Sequence, residues 1–203
     1  IWANEGQDEV HLMMGCKTTV IPDGVTVIGE YAFHSTDIEK VIIPNSVTRL
    51  GYGAFFQCSN LTTLQIGSGL TEFSYAGDVS EPFISCYNLR TIVIDETNPL
   101  VDSRNNCNAI IETATNTILL GCNGTTIPEG VTAVNPDAFS HCHYLESLYV
   151  PASLTSIPLG SFNGCRRLKS IVVDEANTMY DSRNNCNAII ETATDTLIRG
   201  CMN

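Results

Sequence analysis

Fourteen residues, Asp102-Ser-Arg-Asn-Asn-Cys-Asn-Ala-Ile-Ile-Glu-Thr-Ala-Thr115, recur without a change at Asp181–Thr194, 79 positions later. A chain that repeats itself so closely folds as a stack of similar units, each touching its neighbours, rather than around one central core. The likeness continues upstream, where Ile92-Val-Ile-Asp-Glu96 matches Ile171-Val-Val-Asp-Glu175, and downstream, where Gly121-Cys122 matches Gly200-Cys201. A third, partial copy opens the chain: Leu12-Met-Met-Gly-Cys16 then Ile21-Pro-Asp-Gly-Val25 parallels Ile118-Leu-Leu-Gly-Cys122 then Ile127-Pro-Glu-Gly-Val131. Ile1–Gly6 lacks the basic, apolar and cleavage segments of a signal peptide. Because the first and last units are partial, the sequence is expected to be a trimmed piece of a longer chain.

A shorter period runs inside the long one. Pro22, Pro44, Pro128 and Pro151 each stand 11 residues before a phenylalanine: Phe33, Phe55, Phe139 and Phe162. Cysteine follows three residues later at Cys58, Cys142 and Cys165, and at Cys86 after Phe83. Leucine follows at Leu61, Leu89, Leu145 and Leu168, then an apolar residue at Leu64, Ile92, Leu148 and Ile171. The unit reads I-P-x-x-V-T-x-I-x-x-x-A-F-x-x-C-x-x-L-x-x-L. The first copy is one residue short after Phe33 and has no cysteine there, only Thr36. The third has Gly67 in place of proline and an insert, Asp78–Pro82, where a bulge is expected.

Each feature has a physical role. Alternation in the L-x-x-L-x-I run is the period of a strand, with Leu64 and Ile66 facing in and Thr63 and Gln65 facing out. So short a unit cannot bury its own apolar face, so stacked copies share a core and their strands form a parallel sheet. Proline after the strand ends the ladder because it has no amide hydrogen to give. Val47 and Leu50, or Val131 and Val134, supply a second wall, and the phenylalanines close the core. The long unit differs. Asn108–Thr113 and Thr117–Gly121 are two β-rich runs around small polar residues, which predicts a hairpin, and Asp-Ser-Arg-Asn-Asn before it has loop chemistry. The expected organisation is a single domain over 1–203: a partial hairpin unit (1–17), three repeats (18–93), a hairpin unit (94–125), two repeats (126–172) and a hairpin unit (173–203).

These blocks resemble the BspA-like leucine-rich repeats of bacterial surface proteins over about residues 18–203. The I-P-x-x-V-T-x-I, A-F-x-x-C and L-x-x-I/L-x-I/V motifs carry the resemblance. It implies a mostly β, curved, right-handed solenoid with a parallel sheet on its concave face. It also implies display on the cell surface or secretion within a larger chain, and adhesion or partner binding. It brings no catalytic residue.

Composition narrows the function classes. A net charge of −12 with only ten Lys and Arg disfavours nucleic acid, which is bound through positive patches. No apolar run approaches the ~18 residues of a membrane span, so this segment is not expected to insert. The nine cysteines divide by position. Cys58, Cys86, Cys142 and Cys165 recur once per repeat, as small hydrophobes in a core ladder do. The hairpin brings Cys107 toward Cys122 and Cys186 toward Cys201, and either bridges or free thiols fit until the Cα separation is known. Cys16 belongs to the partial copy, whose partner position is missing.

No zinc spacing is present, and His141, Cys142 and His143, as chain neighbours, point apart rather than converge. Asp95, Glu96, Asp102, Asp174, Glu175 and Asp181 recur with the unit, which favours turn-forming groups over a calcium loop or an acid/base pair. Gly67-Ser-Gly69 lacks the lysine of a phosphate loop. The sequence therefore points to no catalytic residue, no metal and no cofactor.

The open face of the sheet is the candidate site. Its outward positions are Lys40 and Ile42, Thr63 and Gln65, Thr91 and Val93, Ser147 and Tyr149, Ser170 and Val172. Ile42, Gln65, Val93, Tyr149 and Val172 are expected to form one nearly neutral strip on adjacent columns, suited to a protein partner, with Tyr149 as the anchor. Simple β-propensity at half-exposed sites is the competing explanation. The expected function is a non-enzymatic recognition or adhesion module. The alternatives are a glycan-binding module, weakened by having Trp2 as the one tryptophan, and an accessory repeat segment of a larger enzyme.

Overall fold

A computed structural model describes the backbone of Trp2–Ala3 and residues 9–73 and 81–201. Asp78–Ser80 of the expected bulge and the Trp2 side chain lie outside the described residues. In chain order the strands are β1 (Trp2–Ala3), β2 (Val10–Leu12), β3 (Val27–Ile28), β4 (Lys40–Ile43), β5 (Arg49–Leu50) and β6 (Thr63–Ile66). Next come β7 (Glu72–Phe73), β8 (Thr91–Ile94), β9 (Val101–Asp102), β10 (Ala109–Glu112), β11 (Thr117–Gly121) and β12 (Ala133–Val134). The last are β13 (Ser147–Val150), β14 (Ser170–Val173), β15 (Tyr180–Asp181), β16 (Ala188–Glu191) and β17 (Thr196–Gly200). The only helical pieces among the described residues are single 3-10 turns at Glu81–Phe83, Arg104–Asn106 and Arg183–Asn185.

The repeat pattern builds two walls. The L-x-x-L-x-I runs become β4, β6 and β8, parallel and in register, and β13 and β14, a second parallel pair. Their side chains alternate as the sequence predicts, with Leu64 and Ile66 buried. The V-T-x-I runs become the two-residue strands β3, β5 and β7, which continue from β1 and β2 in the opposite wall, ordered β1-β2-β3-β5-β7. Between the walls each I-P-x-G-V corner is closed by the amide of Val25 or Val131 donating to the carbonyl of Pro22 or Pro128. Gly24 and Gly130 take φ of +90° and +88° there, as the third residue of a type II turn requires.

The core is a ladder of rings. Phe33, Phe55, Phe83, Phe139 and Phe162 are all fully buried. Phe33 stacks on Phe55 with centroids 5.0 Å apart, and Phe139 meets Phe162 at 4.9 Å. Beside the rings runs the cysteine ladder, buried as expected and with one further role. The thiols of Cys58 and Cys86 donate to the carbonyls of Phe33 and Phe55 one rung earlier, at 3.0 and 3.2 Å. The position thus links rungs by a weak hydrogen bond, which the aliphatic residue of like size would not supply.

The hairpin units form where expected. β10 and β11 pair antiparallel across the turn 113–116, and β9 pairs with β10. β11 then pairs in parallel with β12, so the hairpin carries the second wall onward. The partial copy does the same at the start, with β1 antiparallel to β2 and β2 parallel to β3. The internal hairpin also divides the core. Ile110, Leu120 and Cys122 pack with the preceding repeats, and Cys107, Ala109, Ile111 and Ile118 with the following ones. This decides the open question of the cysteine pairs. Cys107 and Cys122 pack into opposite clusters, and all nine thiols are free.

Gly67 in place of proline has a local cause. A Cβ on Gly67 would stand 2.7 Å from the Asn45 amide nitrogen, and one on Gly69 1.9 Å from the Asn45 carbonyl oxygen, so this corner packs backbone on backbone.

Candidate functional site

The parallel register brings three of the expected residues together in one place and two in another. Ile42 lies opposite Gln65, and Gln65 opposite Val93. Tyr149 lies opposite Val172. Ile42, Val93, Tyr149 and Val172 are 54%, 44%, 44% and 52% exposed, a large solvent-facing area for such side chains. The expectation of one continuous strip is corrected: β8 and β13 belong to separate sheets, and the hairpin unit 94–125 stands between them in the chain. The face consists of two apolar columns, each flanked by small hydroxyl residues, Thr63 and Thr91 in one and Ser147 and Ser170 in the other.

Tyr149 is held, not free. Its hydroxyl donates to the Asp174 carboxylate in the turn after β14. That bond keeps the phenol protonated and raises its pKa, while it lowers that of Asp174, which also accepts the Ala176 amide. The ring is therefore oriented before any partner arrives.

At the edge of each column the unchanged fourteen-residue segment closes a cleft. One, of about 580 Å³, lies between Val93 and Asp95 on one side and Asp102, Arg104, Asn105 and Asn108 on the other. Its counterpart, of about 720 Å³, lies between Val172 and Asp174 and the loop Asp181–Asn187. Arg104 grips Asp102 through Nε and Nη2 and donates from Nη1 to Asn116 at 2.8 Å. Arg183 grips Asp181 alike, but its Nη1 reaches the carboxylate of Asp195 at 2.7 Å. Both guanidinium groups are held more firmly protonated by these carboxylates. Asn105 and Asn184 adopt φ of 58°, a left-handed conformation that asparagine tolerates, and both are exposed at the cleft rim. The recurring carboxylates serve the unit, as expected: Asp95 caps its own turn through Thr97, and Asp102 and Asp181 pair with arginine.

Sequence reading missed the clefts, although the unchanged loop was their visible signal. It also missed an aromatic patch. Tyr31 meets His34, Tyr52 and Phe56 edge-on at 5.8, 5.5 and 6.1 Å, and Tyr31 and Tyr52 are exposed. These residues lie in turns, where no period reveals that they meet. His141 and His143 pack against Tyr87, the latter stacked at 4.2 Å, while Cys142 between them is buried. Among the described residues no group of three His, Cys, Asp or Glu side chains could hold a metal ion. No described helix is long and apolar enough to cross a membrane.

A family model described as BspA type leucine rich repeat region matches residues 12–109 and 111–194 in six copies. Comparison with curated proteins finds no match. Among solved structures, the chain is similar to the pneumococcal vaccine antigen PcpA, with a TM-score of 0.56 and 16% identity over 82% of this chain and 47% of that one. It is also similar to a leucine rich cell surface protein from Faecalibacterium prausnitzii, with a TM-score of 0.48 and 21% identity over 96% of this chain and 55% of that one. The leucine-rich repeat protein of T. pallidum gives a TM-score of 0.45 and 22% identity over 83% and 65%. The chain thus spans about half to two thirds of the length of these structures, and the likeness to PcpA is one of fold.

Proposed function

Since the chain belongs to the BspA type leucine-rich repeat family, we propose that it is a non-enzymatic recognition or adhesion module of a bacterial secreted or cell-surface protein. It engages a protein partner through the open face of its parallel sheets. The observation that carries this reading is the pair of exposed apolar columns, Ile42–Gln65–Val93 and Tyr149–Val172, on strands whose other faces are buried. Exposed apolar area on a rigid repeat scaffold marks interaction sites, and a preoriented tyrosine loses little entropy on docking. The charge of −12 directs the module away from nucleic acid and toward partners that tolerate or complement an acidic surface. The test is binding to a candidate host or bacterial surface protein by wild type and by the Val93→Asp/Tyr149→Asp variant. The variant is expected to lose binding; retention of full affinity sinks the open-face reading.

A second reading, glycan binding, is favoured by the cluster of Tyr31 with Tyr52, His34 and Phe56, because sugar faces stack on exposed rings. A glycan array that is blank for wild type removes it. Signals lost on Tyr31→Ala/Tyr52→Ala, with the Val93→Asp/Tyr149→Asp variant unaffected, establish it instead.

A further inference from the structure

The gap between the two apolar columns is a built structure. β8 and β13 do not pair, and the end of the first hairpin unit, residues 122–126, is wedged between the repeats that carry them. The side-chain amide of Asn123 donates to the carbonyls of Tyr87 and Leu89 at 2.7 and 2.9 Å, and its oxygen accepts the Tyr144 amide at 2.7 Å. One asparagine thus ties the repeat before the hairpin to the repeat after it. At Gly124 a Cβ would stand 2.2 Å from the Arg90 carbonyl oxygen, so backbone lies directly on backbone. The Gly124 carbonyl accepts the Asn108 side-chain amide at 3.1 Å. The wedge is therefore held firmly, and it sits inside the stack with repeats on both sides.

Beside the wedge, where β8 and β13 begin, lies a pocket of about 360 Å³. Arg90 and Arg167 line it together with Asn123, Thr126, Tyr144 and Ser147. The chain carries −12 and has only ten Lys and Arg, so two guanidinium groups at one small pocket are a local reversal of its charge. Lys17, Arg49, Arg104, Lys169 and Arg183 are all neutralised by carboxylates. Arg90 and Arg167 form no ion pair with a carboxylate among the described residues. Glu146, the carboxylate on the pocket's rim, is committed to Lys169 at 2.9 Å, and the Arg167 charge acts on it more weakly. The Arg167 guanidinium lies 4.7 Å from the centre of the Tyr144 ring, a cation–π contact that orients it. Burial raises the pKa of the Cys122 thiol, and the nearby charge of Arg90 opposes the rise, which sets that guanidinium toward the hairpin end.

We propose that this pocket receives the carboxylate of an acidic side chain from a protein partner, held between Arg90 and Arg167. Guanidinium groups match a planar carboxylate through paired N–H donors, and two of them here lack any such partner within the chain. The occupant is a protein because apolar side chains flank the pocket along the same strands. Val93 stands two residues beyond Thr91 on β8, and Tyr149 two residues beyond Ser147 on β13. An acidic residue set among apolar ones meets the pocket and both columns at once. The acidic remainder of the surface repels such a residue everywhere else, so the pocket fixes the partner's register. The inference rests on the open-face reading and adds to it the chemistry of the partner's anchor.

The test follows the arginine side-chain Nε–H resonances of the whole chain by NMR as the peptide acetyl-Leu-Glu-Leu-amide is added. Saturable shifts at Arg90 and Arg167 are expected at millimolar peptide, and acetyl-Leu-Gln-Leu-amide should cause none. Arg90→Gln or Arg167→Gln should weaken the peptide at least roughly ten-fold. Both should keep the wild-type Tm, because both side chains are exposed. Arg166→Gln, which removes an exposed arginine outside the pocket, should bind the peptide normally. The proposal is overturned if the glutamate peptide gives no saturable shift or if the glutamine peptide binds as well. It is also overturned if Arg166→Gln weakens binding as much as Arg90→Gln, which would reduce the effect to overall charge. Tighter binding of methyl glucuronide than of the peptide would give the pocket to an acidic sugar and overturn the choice of occupant. The peptide reads the pocket without a partner, so its failure leaves the open-face reading standing. Full partner affinity in the Val93→Asp/Tyr149→Asp variant strikes that reading instead, whatever the peptide does.

Discussion

The ring of Phe55 lies parallel to that of Phe83, 5.5 Å between centroids and 3° between planes, although the two repeats that supply them differ in length by an insert. On its other side Phe55 stacks against Phe33 at 5.0 Å. Phe55 is thus the middle ring of three, fully buried, with no room to collapse on either side. Phe55→Ala is expected to destabilise the fold by about 3–5 kcal/mol, and Phe162→Ala, beside the single ring of Phe139, by an amount toward the lower end. Urea unfolding midpoints of the two variants check the order.

Gly15 and Gly121, each at the end of a hairpin, obey the same ring logic. Gly121→Val forces a side chain into the Phe139 ring and should cost about 1–3 kcal/mol or prevent folding, as overpacking does. The same change at Gly15, where a Cβ would stand 2.1 Å from the Phe33 ring, should cost a comparable amount. Thermal unfolding of the pair separates a steric requirement of the motif from a mere preference for glycine.

The thiols should react in a fixed order. Cys16 is exposed, and the hydroxyls of Thr19 and Thr18 lower its pKa to about 7, so much of it is thiolate at neutral pH. Burial pushes Cys122 up to about 11 and Cys165 to about 12, leaving both protonated and covered. Alkylation at pH 7.5 followed by mass spectrometry is expected to modify Cys16 first, then Cys186, and to spare the ladder until denaturant is added. All nine thiols should titrate after unfolding without reductant; a count of seven would reveal a bridge and contradict the free state.

Tyr149 and Asp174 should titrate as partners. The carboxylate pKa is depressed, so its contribution is present above its ordinary value near ~3.9 and fades as pH falls through the lower folded value. The phenol pKa is raised, so its contribution is present below ~10 and fades as pH rises through the higher folded value. The bond is therefore fully formed across the neutral range. Tyr149→Phe should move the Asp174 carboxyl titration upward toward the ordinary value, read by carbon-13 NMR, with the Asp95 titration unchanged.

Much of the fold was legible because stacked repeats use local rules. Period-2 alternation set which side of β6 faces in, and the recurring Phe and Cys columns identified the ladders, because every copy solves the same packing problem. Residues outside the periodic runs were not legible. Asn98 is a buried polar residue whose amide donates to the carbonyls of Gly67 and Leu70 and whose oxygen accepts from Leu100 and Val101. Asn177 repeats the device, bonding Pro151 and Leu154. An asparagine in a turn looks the same in sequence whether it is solvated or plugs the core, so only the carbonyls facing it reveal its role.

From the sequence alone came the family, the strand faces, the hairpins and the members of the open face. Each follows from a residue's type and its place in a repeat, which are local properties. Tertiary structure decided the rest. It broke the expected strip into two columns, because a hairpin unit intervenes and its strands pair with the other wall. It turned Cys107 and Cys122 into opposite halves of the core, because a hairpin packed on both sides sends its two faces apart. Pairing partners and neighbours across rungs depend on which edges meet, and a repeating sequence, by its own symmetry, offers the same edge more than once.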